Sequence, residues 1–498
     1  MTTSTSTLIP TVSVRRELVW TPVLLLLAAA VAFAGPIAAI AALAATVAVF
    51  ATVGYLRRPI HAVLGLWVFL AVQGGVAAGV GAAVGEGARS LVLRADEPLL
   101  VLFLVLSIGR IGQARAARTA LGLAAGFVGA GLLSALLHGV PPFIALLGAW
   151  LGAKLWIALV IALALPWTAK DREQVARLFG ISGIVILVTG VLDFLAPAMF
   201  RSVLHLPYII EYRHGLPSVQ SVFSSPGAYS GFMSLLFAFF FGRFAATGAR
   251  KDLGYSLAFG IGSLLSLRLK AMLDVPLVLA VAYALSARGR RAALAVVASV
   301  LGFLAMLSPV SAIARSQIAT YGSAQNETAR RLLYRVSGQI ARSNFPFGVG
   351  FGRFGSWPST LVYSPVFYQY GLSGVWGLSP DYRSFINDTT WPTILGESGA
   401  IGVLLYGGAV IALLLHLRAR LRDKSAPKSA RAGAVGAITV VTTLIAESAG
   451  SPIVFNSLPV MLAAVVIGSA LIDHESTDTE SANIAPANAM PARAESSA

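Results

Sequence analysis

Long uninterrupted apolar runs constrain this chain more than any other feature. They lie near 21–34, 37–55, 62–84, 97–111, 116–137, 142–167, 178–199, 226–243, 253–267, 271–287, 292–309, 393–417, 432–448 and 454–472. A helix needs about 20 apolar residues to cross the roughly 30 Å hydrocarbon core of a bilayer. The expected fold class is an all-α polytopic membrane protein of about 14 transmembrane helices. Three of the runs (21–34, 253–267 and 271–287) are short enough to be half-helices or parts of one broken hairpin. Only 12% of the 498 residues are charged and 57% are hydrophobic. Soluble domains carry roughly 25% charged residues, so a water-soluble chain and a disordered one are both excluded.

The charges that remain are lopsided, with 37 basic residues against 21 acidic and a net +16. On a soluble chain that excess suggests nucleic acid. On a membrane chain its first meaning is topology, because basic residues collect on the cytoplasmic side. Arg15/Arg16, Arg57/Arg58, Arg110–Arg118, Lys170–Arg177, Arg243–Lys251, Arg288–Arg291 and Arg418–Arg431 all fall on one side if fourteen spans alternate. Both termini are then cytoplasmic, and nucleic acid is not an expected partner. The chain divides into a cytoplasmic N-terminus (1–20), helices 1–11 (21–309), a large outer loop (310–390), helices 12–14 (391–472) and a disordered cytoplasmic tail (473–498). A rival reading takes Arg15/Arg16, the next apolar run and Ala32-Phe33-Ala34 as a cleaved signal peptide. Pro36 and a second apolar run directly after it favour an uncleaved hairpin.

Two outer connections are long, 200–225 and 310–390. Loops of that length are usually functional or disordered. The second holds Trp357, Trp376, Tyr363, Tyr368, Tyr370 and Tyr382, a composition of packed structure rather than of a tail. Its basic residues are Arg315, Arg330, Arg331, Arg335, Arg342, Arg353 and Arg383, with no lysine, against Glu327, Asp381 and Asp388. Arginine presents a fork of donors matched to phosphate and carboxylate. The chain as a whole has 31 Arg to 6 Lys, so arginine usage alone decides nothing. A net +4 on the side that should be poor in positive charge carries more weight. Within 327–342, Arg331, Arg335 and Arg342 fall on one helix face. Such a stripe is either a solvated face or a site for an anionic headgroup.

Directly after the stripe comes Asn344-Phe345-Pro346-Phe347-Gly348-Val349-Gly350-Phe351-Gly352-Arg353-Phe354. Then follow Asn387-Asp388-Thr389-Thr390-Trp391 and Leu395-Gly396-Glu397-Ser398-Gly399-Ala400-Ile401-Gly402. The order resembles the O-antigen ligase and polysaccharide polymerase family of membrane glycosyltransferases: an arginine-bearing helix, a P-x-G-x-G-x-G-x-F turn, a short polar motif and L-x-E-x-G-x-x-G. Arg213-His214-Gly215 followed by Phe223-Ser224-Ser225-Pro226 looks like the family's arginine loop. The resemblance covers roughly 205–415 in motif and implies a GT-C-like fold in the bacterial inner membrane. It implies a donor glycan on undecaprenyl pyrophosphate, a saccharide, lipid or cell-wall acceptor, and no cofactor, metal or nucleotide sugar. On it Arg213 and Arg331 stabilise the leaving pyrophosphate, and Asp388, nine residues before Glu397, takes the acceptor proton. Arg335, Arg268, Lys270, His214 and Arg353 are expected to bind substrate. The ligases carry a His-Asn pair where Asp388 stands, so the carboxylate favours the polymerase branch over transfer to a lipid acceptor. Read without the family, Asp388 is a helix N-cap and Glu397 satisfies backbone donors near the glycines.

Lys154, Asp193, Arg268, Lys270, Asp274 and Glu447 sit within apolar runs, where charge is costly and usually functional. The six histidines show no metal-binding spacing, and the absence of cysteine removes thiolate chemistry. A transporter or flippase is the rival class. No internal repeat of interrupted helices supports it, and an 80-residue aromatic loop is unusual for one.

Overall fold

The computed structural model describes residues 35–206, 210–213, 215–286 and 328–472. The expected spans 21–34 and 292–309, the Ala32–Ala34 motif, His214, loop residues 310–327 and the tail from 473 lie outside the described residues.

The chain is a helical multi-pass membrane protein. Its helices are α1 (Gly35–Arg57), α2 (Pro59–Val84), α3 (Glu86–Arg94), α4 (Asp96–Ser107), α5 (Arg118–Leu137), α6 (Pro142–Leu163), α7 (Ala169–Leu195) and α8 (Pro197–Val203). After a short antiparallel pair, β1 (Tyr212–Arg213) and β2 (Leu216–Pro217), come α9 (Pro226–Thr247), α10 (Arg250–Leu264) and α11 (Leu269–Leu285). Then follow α12 (Ala329–Ser343), α13 (Pro358–Leu361), α14 (Pro365–Gln369), α15 (Trp391–Arg422), α16 (Lys428–Ser448) and α17 (Ser457–Leu471).

Seven of the described helices are long and apolar enough to cross a bilayer: α2, α5, α6, α7, α9, α15 and α16. Helices α10 and α11 have 15 and 17 residues. At 1.5 Å per residue they reach roughly 22–26 Å, short of a full crossing. The 97–111 run is not one continuous α-helix: α4 ends at Ser107 and a 3₁₀ stretch, Ile108–Ala117, carries the chain on. Helix α3, between the third and fourth apolar runs, is an element that hydropathy did not foresee.

Local chemistry sets the helix limits. Thr168 and Asp171 form a reciprocal capping box at the start of α7. Ser225 caps α9 ahead of Pro226, and Gly248 closes it in the left-handed region at φ +76°. The turn between α10 and α11 exposes carbonyls inside the bundle, and the 218–219 segment satisfies them. Val219 N–H donates to the Leu265 carbonyl at 3.2 Å and the Ser218 hydroxyl donates to that of Ser266 at 2.5 Å.

Helix α9 is the axis of the bundle, with 78% of its apolar window buried against 33% for α7. Its Phe237, Phe239, Phe240 and Phe241 are all buried in the main core. At one end of the bundle Arg172 donates to the final carbonyls of α17, Ser469 and Ile472, at 2.6 and 2.7 Å. Arg243 there pairs with Glu173 and Asp252. The opposite end carries the 197–225 connection and residues 328–390, and is called the loop-bearing end below. On it residues 328–390 fold around an apolar core of their own, built from Leu332, Leu333, Val336, Ile340, Val349, Phe354, Phe367, Leu378 and Ile386.

Candidate functional site

The glycine turn and α15 form one interlocked unit. Gly399 holds φ +69°, ψ −163° inside α15 and breaks its helical path. The carbonyls of Gly396 and Glu397, freed by that break, accept from Val349 N–H and Gly350 N–H at 2.9 Å each. Approach this close needs glycine on both sides: a Cβ on Gly399 would stand 2.5 Å from the Pro346 oxygen, and one on Gly348 would strike the Gly396 carbonyl. Glu397 is 2% exposed. Its Oε1 accepts from Phe354 N–H at 3.0 Å and from the Ser356 hydroxyl at 2.5 Å. The glutamate is thus a scaffold group that satisfies a backbone donor of the turn, as the sequence reading expected. The same unit is pinned to α5, where the Ser134 hydroxyl donates to the Gly348 carbonyl at 2.8 Å and His138 meets the Asn344 side chain at 3.1 Å.

Asp388 lies just before α15. It does not cap that helix: the N-cap is Thr390, with no side-chain capping bond, so the N-cap reading is overturned. Its Oδ2 instead accepts from Arg330 Nη2 at 2.5 Å. Arg331 and Arg335 are exposed on α12, away from the apolar core that Leu333, Val336 and Ile340 enter. The segment expected from 327 starts two residues later, at Ala329, because Thr328 caps it.

A second group of charges lies around the starts of β1 and α11. Arg268 Nη2 donates to both oxygens of Glu211, at 2.9 and 2.7 Å, and Arg213 approaches the same carboxylate at 3.5 Å. Two residues on, Lys270 Nζ donates to Glu447 Oε2 at 2.5 Å and to the Gly227 carbonyl at 3.0 Å. The C-terminal turn of α16 joins the two groups. Glu447 is in it, Arg330 Nη1 lies against Gly450, and the Tyr334 hydroxyl donates to the Ala449 carbonyl at 2.8 Å. Thr390 and Trp391 bond to Ser451 and Ser448. Burial pushes the Tyr334 hydroxyl above its ordinary range, against the lowering pull of Arg330.

The structure therefore gathers Arg213, Arg268, Lys270 and Asp388 around one helix end. Arg353 lies on the other flank, in the turn that packs on α6 through Gly148 and Ile144, and its side chain forms no ion pair among the described residues. Lys154 is committed to Glu97 at 2.6 Å. Asp193 is committed to Arg201 at 2.9 Å and to the backbone N–H groups of Gln220 and Ser221 at 2.8 and 3.0 Å.

Sequence reasoning passed over two members of the site. At 100° per residue Arg330 lies roughly 105° from the centre of the arc of Leu332, Leu333, Val336 and Ile340, and Arg331 roughly 155°. A helical wheel thus puts Arg330 at the edge of the apolar arc and Arg331 nearly opposite it, but does not separate Arg330 from Arg335. Glu211 precedes Arg213 by two residues in extended chain, the spacing that puts both on one side. Comparison of the chain with protein-family models and with curated proteins finds no match to either.

Proposed function

We propose that the protein is a membrane glycosyltransferase of polysaccharide-polymerase type, working on glycans linked to undecaprenyl pyrophosphate at the outer leaflet of a bacterial inner membrane. On this reading the bundle is GT-C-like, has about 14 spans and keeps both termini cytoplasmic. The observation that carries it is the convergence of Arg213, Arg268, Lys270 and the Arg330–Asp388 pair on the C-terminal turn of α16, beside the interlocked glycine turn.

In the reaction, an acceptor hydroxyl oxygen bonds to the anomeric carbon of the donor's reducing-end sugar. The bond from that carbon to the pyrophosphate oxygen breaks, and the lipid pyrophosphate leaves with the electron pair. Guanidinium and ammonium groups fixed at the bundle end meet the developing charge. Asp388 accepts the hydroxyl proton, and the Arg330 contact orients its carboxylate for that transfer. Each of these cations already holds a carboxylate, so the donor must exchange places with Glu211 and with the Glu447 contact to Lys270. Arg331 and Arg335 supply the approach to the site.

The test incubates purified protein with a lipid-linked oligosaccharide, without nucleotide or metal, across a panel of saccharide and lipid acceptors. Chain extension or glycan transfer is expected. Neither product with any acceptor would refute the reading. Extension alone fits a polymerase, and transfer to a lipid or cell-wall acceptor alone fits a ligase. Asp388→Asn should abolish turnover while leaving donor binding intact. Unchanged turnover in Arg331→Lys would remove bidentate contact from that residue.

A further inference from the structure

Behind Lys270 the bundle buries more negative charge than it has cations to match. Asp274 of α11 is 3% exposed, Glu447 of α16 is 1% exposed and Ser234 of α9 is fully buried. The Asp274 carboxyl faces Glu447 across the helix interface, with Ser234 beside it and Lys270 as the single cation among the described residues. Lys270 spends its bonds on Glu447 and the Gly227 carbonyl. Three buried polar atoms in the group, Asp274 Oδ2, Glu447 Oε1 and the Ser234 hydroxyl, have no well-formed hydrogen bond among the described residues.

Two bare carboxylates in contact inside a low-dielectric bundle repel strongly, and a pair of this kind is stable when it shares a proton. One ammonium, one carboxylate and one carboxylic acid sum to zero. Two carboxylates and one ammonium would leave a buried net negative charge, which costs far more than the contacts present can offset. A proton shared between the two carboxyl groups would give the idle Asp274 and Glu447 oxygens an O–H···O partner. Lys270 is 21% exposed at the loop-bearing end, and the Ser451 hydroxyl reaches Glu447 Oε2 at 3.4 Å from the same side.

We propose that Asp274 and Glu447 form a binding site for one exchangeable proton, with Lys270 standing between it and the loop-bearing surface. The site does not depend on the glycosyl-transfer reading. Among the described residues, charged groups face it from α11 (Lys270) and α16 (Glu447), and α9 contributes the Ser234 hydroxyl.

Infrared spectroscopy of the purified full chain in lipid nanodiscs, in H₂O and D₂O, tests it. A protonated-carboxyl C=O band that shifts in D₂O is expected in the wild type, with loss of the band assigned to this pair in both Asp274→Asn and Glu447→Gln. A wild-type spectrum unchanged by either substitution would overturn the proposal. Should the variants not fold, the wild type is treated with dicyclohexylcarbodiimide, which attacks protonated buried carboxyls, and the adduct is mapped by mass spectrometry. An adduct on Asp274 or Glu447 that disappears as pH rises supports the site, and no adduct at either refutes it. Protection by Na⁺ but not K⁺ at fixed ionic strength would assign the site to a metal cation and refute the proton.

Discussion

Asp193 and Asp274 are both buried carboxylates in the loop-bearing half of the bundle, and each has one cation within reach. They differ in how fully their oxygens are used. Asp193 gives both oxygens to Arg201 and to the backbone of Gln220 and Ser221, so it anchors the 218–221 segment with nothing left over. Among the described residues Asp274 shares its one cation with Glu447 and keeps one oxygen without a hydrogen bond. Charge in a membrane protein usually signals function, yet here satisfaction of the polar atoms separates scaffold from site. Glu397 belongs with Asp193 on that criterion, and the Arg268 guanidinium, with an idle Nε, belongs with Asp274.

The largest effect should come from breaking the saturated pair. Asp193→Asn leaves Arg201, 1% exposed, as an uncompensated buried charge. A loss of about 3–5 kcal/mol is expected, read as a steep fall in the thermal unfolding midpoint of purified protein. Next comes Glu397→Gln, which weakens the acceptor for Phe354 N–H and the Ser356 hydroxyl. It should cost about 1.5–3 kcal/mol and raise proteolytic cleavage in the 346–356 turn. Asp274→Asn should cost about 1 kcal/mol or less, because the new amide can donate to Glu447 where the shared proton stood. If Asp193→Asn and Asp274→Asn lowered the unfolding midpoint equally, saturation would lose its power to distinguish the two classes.

How legible each part was follows from the range of the physics behind it. Apolar runs act within about 20 residues, so the helices that cross the bundle could be read directly. Their limits needed chemistry beyond hydropathy: α4 stops at Ser107 and passes into a 3₁₀ stretch, and α10 joins α11 through a turn whose carbonyls the distant 218–219 segment meets. The break at Gly399 was invisible as a conformation, since it exists only where the 346–350 turn arrives from some fifty residues upstream to take the freed carbonyls. The Lys270–Glu447 contact spans 177 positions and leaves no local trace. Arg330 and Glu211 were legible but were passed over. A stripe of exposed arginines drew attention, although the arginine that meets Asp388 is their half-buried neighbour at the edge of the apolar arc.

That last difference sets the smallest prediction, within α12 itself. Arg331→Ala removes an exposed side chain from the face opposite the apolar core and should change stability by no more than about 0.5 kcal/mol. Arg330→Ala removes the partner of Asp388, but both members of that pair are about one-third exposed. Solvent-screened pairs of this kind are worth about 0–1 kcal/mol, so its stability effect should be only slightly larger. The two variants should separate in turnover instead. Without Arg330, Asp388 loses the contact that orients it at 2.5 Å, and kcat should fall with little change in KM. Without Arg331, a residue of the approach, KM should rise with kcat retained. Equal kinetic profiles for the two would mean that the half-buried and exposed arginines of α12 do the same job, and burial would then be no guide to which arginine serves the reacting atoms.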